Sequence, residues 1–293
     1  MASERYTVVV ALANPATVEQ LLRTASDLAN RHDGRVHAVA VEHKPVTSPF
    51  LLFSDEHVAA EYADESTQIL ERATEVSNAA ITTELRIDSD VPGAIRAVVD
   101  EVDADTLLVG WHERSAAADV VLGTSVDPIL RRPPCDTFVE RVGTVANGVD
   151  RILMPTVGGP HVELAADVVG AVALANEARV TVLSIVTPEG RMADEEAARR
   201  EVRAAAAHLP SVPVDLRVED APSSTTGILE VATEHDFVVL GATGTGRIRP
   251  PVIGSVAKTV GRVATCPVLI AKSRSDSWVG RALERVRSAS FAR

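Results

Sequence analysis

The stretch Asp236-Phe-Val-Val-Leu-Gly241 has a counterpart in Asp105-Thr-Leu-Leu-Val-Gly110, at an offset of 131 residues (241 − 110). The same offset relates Gly254-Ser255 to Gly123-Thr124, and Thr265-Cys-Pro-Val-Leu-Ile270 to Pro134-Cys-Asp-Thr-Phe-Val139. A constant offset over three landmarks indicates an internal repeat, which fixes the architecture before any element is assigned. We therefore predict two similar domains, 1–146 and 147–274, joined by a small-residue linker near 143–148, and a tail, 275–293, that forms a short helix.

Within each half, short apolar runs alternate with segments of helical period. Runs such as Val180-Thr-Val-Leu-Ser-Ile-Val186 are apolar on both faces, as parallel strands covered by helices on both sides must be. The fold class is therefore α/β, with a doubly wound parallel sheet in each half. The second half is predicted to contain strands at 151–155, 179–186, 212–218, 236–241 and 266–272, and helices at 162–175, 194–208, 227–234 and 255–264.

The first half begins with a similar strand, at 6–12, but carries about 13 extra residues, as the larger offset between the opening strands indicates (152 − 8, against 241 − 110). We place these residues around 44–54. Two prolines in that segment forbid a continuous helix or a central strand.

The composition of the chain restricts its class. With 293 residues and 46% hydrophobic content, the chain can build two cores. Its apolar runs are far shorter than the roughly 20 residues that cross a bilayer, and its first residues lack a signal-peptide pattern, so we expect a soluble cytoplasmic protein. Cys135 and Cys266 have no CxxC partner, and we expect buried small hydrophobic residues rather than a disulfide framework.

The formal net charge is -12, and Lys44, Lys258 and Lys272 are the lysines of the chain. An acidic, lysine-poor surface suggests a halophilic or GC-rich source. It also argues against nucleic acid as a partner, because no basic face is available to displace counterions from phosphates.

The loop between Gly241 and Val260 is the main candidate for a binding site. Gly241 ends a predicted parallel strand, and ligands of open α/β sheets bind beyond such ends. Gly254-Ser255 opens the next helix, whose free N–H groups attract anions, while Arg247 and Arg249 add positive charge. The spacing fits neither GxxxxGK[ST] nor GxGxxG, and a glycine-rich turn with a helix cap and no ligand is the alternative.

The pattern Gly241-x2-Gly244-x9-Gly254-Ser255 resembles the G-x2-G-x9-G-[ST] motif of ATP-binding members of the universal stress protein family. Ile152-Leu-Met-Pro155 also resembles the opening strand of that family, and the resemblance covers nearly the whole chain as a tandem of two domains. It implies two five-stranded, Rossmann-like parallel sheets of strand order 3-2-1-4-5, of the adenine nucleotide alpha hydrolase-like type. It further implies a regulatory protein of the stress response that binds ATP, with magnesium, in its second domain and is not an enzyme. The residues that this resemblance places at the nucleotide are Pro155, Val157, Val186, Gly241, Ala242, Thr243, Gly244, Arg247, Gly254, Ser255 and Val256.

The chain departs from the family pattern in both halves. An aspartate usually follows the opening strand, where this chain has Val157, so a polar contact to the nucleoside is lost. In the first half, Glu113 replaces the second glycine of the motif, and Asp119 adds a further negative charge that would repel a polyphosphate. We interpret the first half as a degenerate, non-binding partner of the second.

The same resemblance suggests two kinds of partner. The last strands of the two halves, near 137–139 and 268–270, are expected to pair across the domains, so that the chain forms its own pseudo-dimer, and a homodimer is a further expectation. The Ala13-Asn14-Pro15 start and Gly110-Trp111 also resemble stress-protein domains appended to archaeal amino-acid permeases. A ligand-free interaction module associated with amino-acid transport is therefore one alternative function, and a slow nucleotide hydrolase is another.

Other signals favour structural interpretations. The eight histidines show no HExxH or similar ligand spacing, and no GxSxG nucleophile elbow occurs, so neither a metal site nor serine catalysis is predicted. The tail from Trp278 to Arg287 has apolar residues at helical spacing. We predict a terminal helix that packs on the body of the protein or is partly disordered, and docking at a membrane surface is the less favoured alternative. A charged helix face predicted to be solvated contains Glu195, Glu196, Arg199, Arg200, Glu201 and Arg203.

Overall fold

The computed structural model describes residues 5–44, 54–112, 126–144, 146, 148–188, 194–242 and 252–274, and the backbone alone at 59–62. The chain divides into two compact units, unit 1 with residues 1–129 and 139–145, and unit 2 with residues 130–138 and 146–293. The helix predicted for the tail at 275–293 lies outside the described residues, as does most of the proline-containing segment at 44–54.

Unit 1 confirms the predicted alternation of strands and helices. Its strands pair in parallel in the order β3-β2-β1-β4, and the division between the units falls within α5 (Val126–Arg131) and β5 (Asp136–Arg141). The preceding elements are β1 (Thr7–Leu12), a 3-10 helix (Pro15–Thr17), α1 (Val18–Arg31), β2 (Arg35–His43), α2 (Asp55–Tyr62), α3 (Asp64–Val76), β3 (Ile81–Asp88), α4 (Val91–Glu101) and β4 (Thr106–Trp111).

Unit 2 has the strand order predicted for each half. Its five parallel strands lie in the order β8-β7-β6-β9-β10, which is 3-2-1-4-5 within the unit. Its elements are β6 (Arg151–Pro155), α6 (Val162–Asn176), β7 (Arg179–Val186), α7 (Glu195–Ala206), β8 (Val214–Asp220), α8 (Ser224–Ala232), β9 (Phe237–Gly241), α9 (Ser255–Val263) and β10 (Val268–Lys272).

Helices cover both faces of the sheet in unit 2, which explains why its central strands are apolar throughout. Strand β7 is buried at almost every position. The side chain of Ile185 on β7 faces Gly227 of α8, and right-handed crossovers place α6 and α7 on the opposite face. Cys266, like Cys135, is buried, as expected. Along the described ranges, no helix is both long enough and apolar enough to cross a membrane.

Several predicted boundaries in unit 2 are wrong by two or three residues, and two of them have a clear local cause. Strand β8 begins at Val214 rather than at residue 212, because Pro213 has no N–H to donate and only its carbonyl joins the sheet, accepting from Val180 N at 2.9 Å. Helix α8 begins at Ser224 rather than at residue 227, because the Ser223 side chain accepts a hydrogen bond from Thr226 N at 3.1 Å and caps the helix there.

An aspartate clip holds the first strand of each unit to the fourth. In unit 2, Asp236 lies just before β9, and its Oδ2 accepts hydrogen bonds from backbone N–H groups at the start of β6. The donors are Asp150 N at 3.0 Å and Arg151 N at 2.9 Å. In unit 1, Asp105 Oδ2 accepts from Thr7 N at 2.8 Å. The two aspartates of the sequence repeat therefore have the same structural role: they align the amino ends of the two central strands.

We expect Asp236→Ala to lower the free energy of unfolding by about 1 kcal/mol, because two backbone donors lose a charged acceptor but remain accessible to water. Urea unfolding followed by circular dichroism measures the change. Asp236→Asn is the matched control and should cost less, since its amide oxygen can still accept. Identical unfolding curves for Asp236→Ala and wild type would contradict the clip.

A buried carboxylate joins the end of β5 to α1 in unit 1. Glu140 is 2% exposed, and its Oε1 accepts a hydrogen bond from Gln20 Nε2 at 2.9 Å. Burial raises the pKa of Glu140 to about 7, whereas hydrogen bonds from Gln20 and Thr24 and the charge of Arg23 lower it, and the charge of Asp27 raises it. The folded protein therefore binds a proton at Glu140 more tightly than the unfolded chain does.

This difference makes stability depend on pH in a defined direction. Below pH 4.5, Glu140 is protonated in both the folded and the unfolded state. Between pH 4.5 and about 7, Glu140 loses its proton only in the unfolded state. The free energy of unfolding therefore falls as the pH rises through this range. We expect the Glu140 contribution to this fall to approach roughly 3 kcal/mol. The difference in unfolding free energy between Glu140→Gln and wild type should thus grow across this range, measured by urea unfolding at a series of pH values. The exposed Glu71→Gln is the control, and a difference independent of pH would refute the assignment.

Candidate functional site

The candidate site lies at the carboxyl edge of the sheet in unit 2. Strands β6, β7 and β9 end there at Pro155, Val186 and Gly241. The register brings these ends to one edge, since Pro155 pairs with Leu183, three residues before Val186, and Leu153 pairs with Val238, three residues before Gly241. The strand order reverses direction at β6 and β9, and such a switch point is where open α/β sheets bind their ligands.

The loop after β6 makes a tight turn against α7. Thr156 N donates to Leu183 O at 2.7 Å, and Gly158 N donates to the Thr156 side-chain oxygen at 3.1 Å. Gly158 and Gly159 have φ angles of 72° and 114°, which side-chain-bearing residues rarely adopt. A methyl group at Gly158 would lie 2.5 Å from Glu201 Oε2. The glycine therefore allows the loop to lie directly against the Glu201 carboxylate.

The end of β9 packs closely on His161, the residue that precedes α6. A methyl group added at Gly241 would lie 3.0 Å from the Cβ of His161, so this close approach favours glycine. His161 is 1% exposed, and its Nδ1 accepts a hydrogen bond from Ser273 N at 3.1 Å. Gly241 thus has a packing role in addition to the binding role that the resemblance implies.

The N-cap residue of helix α9 is a glycine. Gly254 has φ −69° and ψ 159°, and no side chain in the described part of the chain caps the helix. No acidic residue lies in the first turn, and Ser255 is exposed. Gly254 N donates to Ala242 O at 2.7 Å, which holds this helix end beside the end of β9. Uncapped N–H groups and the positive end of the helix dipole favour an anion here.

The structure brings most of the predicted site residues to one edge of the sheet. Pro155, Val157 and Val186 are half-buried apolar residues at the ends of β6 and β7 or in the loop that follows β6. The other described residues lie at the end of β9 and the start of α9, which the Gly254 N to Ala242 O hydrogen bond holds together. Residues at these two places are Gly241, Ala242, Gly254, Ser255 and Val256. The predicted residues outside the described part of the chain are Thr243, Gly244 and Arg247.

Sequence reasoning missed two residues at this edge. His161 was considered only as a metal ligand, although its position directly before a helix at the strand ends is a signal for a role in packing. Glu201 was placed on a solvated helix face. That prediction holds for two ion pairs on α7, Arg199 with Glu195 at 2.6 Å and Arg200 with Glu196 at 3.1 Å. It is wrong for Glu201, which is half-buried against Gly158.

The equivalent edge of unit 1 has different groups. Trp111 occupies the position equivalent to Ala242 (242 − 111 is again 131), and its side chain is 2% exposed. The described part of helix α5, Val126–Arg131, carries Asp127 in its first turn. An acidic group near the amino end of a helix disfavours an anion. Glu113 and Asp119, predicted to repel a polyphosphate, lie outside the described residues.

Comparisons with known proteins match both halves of the chain. A family model described as the universal stress protein family matches residues 5–141 and 148–272. A putative universal stress protein of Staphylococcus saprophyticus is 26% identical over 138 residues, which are 46% of this chain and 82% of that protein. A crystal structure of a universal stress protein from Archaeoglobus fulgidus is similar in fold, with a TM-score of 0.63 and 17% identity over 93% of this chain and 99% of that chain.

A transport protein is also similar to part of the chain. The Na(+)/H(+) antiporter NhaS5 of Synechocystis sp. is 29% identical over 154 residues, which are 51% of this chain and 21% of the antiporter. The chain thus spans about a fifth of the length of that relative.

The family model matches the chain twice in succession, and the two matched units repeat the same strand order and the same aspartate clip. The chain therefore belongs to the universal stress protein family, as a tandem of two domains.

Proposed function

We propose that this chain is a cytoplasmic regulatory protein of the stress response that binds an ATP-type nucleotide in unit 2. The observation that carries the proposal is the amino end of α9, which has a glycine as its N-cap residue, has no acidic residue in its first turn and is held beside the end of β9 by the Gly254 N to Ala242 O hydrogen bond. The backbone N–H groups at this helix end are hydrogen-bond donors that suit a phosphate group. The Ser255 hydroxyl is exposed next to them and can donate a further hydrogen bond.

The neighbouring strand ends suit the nucleoside part of such a ligand. Pro155, Val157 and Val186 offer half-buried apolar surface at the ends of β6 and β7. Sites for small molecules combine apolar walls with a few polar groups that fix orientation. An apolar wall for a base, near donors for phosphates, favours a nucleotide over inorganic phosphate alone.

Two residues outside the described part of the chain belong to the proposal through the sequence. Gly244 would allow the backbone to approach a ligand, and Arg247 would pair with a phosphate oxygen. A magnesium ion bound with ATP would neutralise part of the phosphate charge. We propose that the site binds ATP without catalysis. The rate of phosphate release should then be the same for wild type and for a variant that does not bind ATP.

Calorimetry with Mg-ATP on the full chain tests the proposal. We expect Gly254→Asp to lower affinity by at least about tenfold, because a carboxylate at the N-cap repels phosphate and competes for the same N–H groups. Aspartate is also a good N-cap residue, and the φ angle of Gly254 suits any residue, so the melting temperature should not fall.

Gly123→Asp, at the equivalent position in unit 1, is the matched control and should leave ATP binding unchanged. Equal loss of affinity in both variants would argue against a site confined to unit 2. Absence of heat with wild-type protein, for ATP and AMP alike, would refute the proposal as a whole.

A second candidate function rests on the similarity to part of an antiporter. We propose as the alternative that the chain is a ligand-free interaction module that associates with a transporter. Mass spectrometry of small molecules released from the purified protein separates the two candidates. A co-purified adenine nucleotide favours the first, and its absence together with no binding in calorimetry favours the second.

A further inference from the structure

Helix α7 carries one acidic side chain that differs from its neighbours. Glu195 and Glu196 form ion pairs with Arg199 and Arg200 on the exposed side of the helix. The Glu201 side chain is half-buried. It forms neither an ion pair nor a hydrogen bond with any residue in the ranges that the structure describes. Three and four residues away, Ala198 and Ala205 are buried, so Glu201 lies at the border of the packed face of the helix.

The Glu201 carboxylate lies at the edge where the proposed nucleoside would bind. A methyl group at Gly158 would be 2.5 Å from Glu201 Oε2 and 3.3 Å from Oε1. The positive φ angles of Gly158 and Gly159 allow the loop to lie this close to the helix. Both carboxylate oxygens therefore lie directly beside the loop that carries Val157.

A second polar group lies on the same face of the sheet. Ser184 on β7 is 1% exposed, and its Oγ has no hydrogen-bond partner among the described residues. Its side chain faces away from α8, since that of the adjacent Ile185 faces Gly227. Ser184 lies one residue beyond Leu183, which pairs with Pro155, so it is close to the carboxyl edge. Buried hydroxyls usually have a partner, and an unsatisfied one next to a proposed site is consistent with a ligand.

The chemistry of a nucleotide identifies what an unpaired carboxylate would bind. In doubly wound nucleotide sites, a carboxylate accepts hydrogen bonds from the ribose hydroxyls. Val157, in the loop directly after β6, has no polar group for this purpose. We infer that Glu201 takes this role from the neighbouring helix and accepts hydrogen bonds from the 2′- and 3′-hydroxyls, which makes the site selective for ribonucleotides over 2′-deoxyribonucleotides.

This inference rests on the proposed function, and calorimetry with ATP and 2′-deoxy-ATP on the full chain tests it. Wild type should bind ATP about tenfold more tightly than 2′-deoxy-ATP, and Glu201→Ala should weaken ATP binding by about tenfold while binding the two nucleotides with nearly equal affinity. Glu201→Gln keeps one acceptor oxygen, so its affinity for ATP and its preference for ATP over 2′-deoxy-ATP should lie between those of wild type and Glu201→Ala. Glu196→Ala, on the exposed side of the same helix, is the control and should behave as wild type.

The outcomes separate this inference from the function on which it rests. If wild type binds ATP and Glu201→Ala binds ATP and 2′-deoxy-ATP with the wild-type affinities, Glu201 is not a ribose ligand, while the nucleotide site stands. If Glu201→Ala weakens both nucleotides equally, the carboxylate does not read the 2′-hydroxyl and the inference is overturned. If wild type binds neither nucleotide, both proposals fail. Thermal unfolding of Glu201→Ala near the wild-type temperature excludes loss of the fold as the cause.

Discussion

The aspartate clip sets the alignment on which the rest of each unit depends. Asp105 and Asp236 accept hydrogen bonds from backbone N–H groups near the start of the first strand of their unit. Strands β1 and β6 are the central strands, and each pairs with neighbours on both sides. Because side chains alternate along a strand, a slip of one residue would exchange the two faces of the sheet on which the side chains of that strand pack. The clip thus determines which residues reach the carboxyl edge.

The two units share this alignment but differ in what they present at the edge. Each also fastens the backbone after its last strand to the first helix region: Gly143 N donates to Gln20 Oε1 at 3.2 Å in unit 1, and Ser273 N donates to His161 Nδ1 at 3.1 Å in unit 2. Beyond these shared features, the edge of unit 2 has the small Ala242 where unit 1 has the buried Trp111. The repeat has preserved the hydrogen bonds that hold the sheet, whereas the side chains at its edge have diverged.

Much of the fold follows from local patterns in the sequence. Strands covered on both faces must be apolar throughout, and this predicted β6, β7 and β9 within about a residue. Two of the wrong boundaries lie where one group decides the start of an element. These groups are the capping side chain of Ser223 before α8 and the missing N–H of Pro213 before β8. Periodicity averages over several residues, whereas a cap is one hydrogen bond.

The candidate site was only partly predictable. Glu201 shares a run of charged residues with Glu195 and Glu196, and neither spacing nor composition distinguishes it from them. Its separate role depends on the approach of its carboxylate to the turn at Gly158. This is a contact between segments more than 40 residues apart (201 − 158), which no local pattern records.

By itself, the sequence determined the two-fold repeat, the parallel α/β sheets and the Gly254-Ser255 helix start, because hydrophobic period and glycine spacing are local and act in the same way in each copy. The tertiary structure alone decided that Gly241 must make room for His161 and that Glu201 lies against the loop after β6. It did so because packing joins residues that are distant in the chain, and the cost of a buried or unpaired group depends on what surrounds it in space.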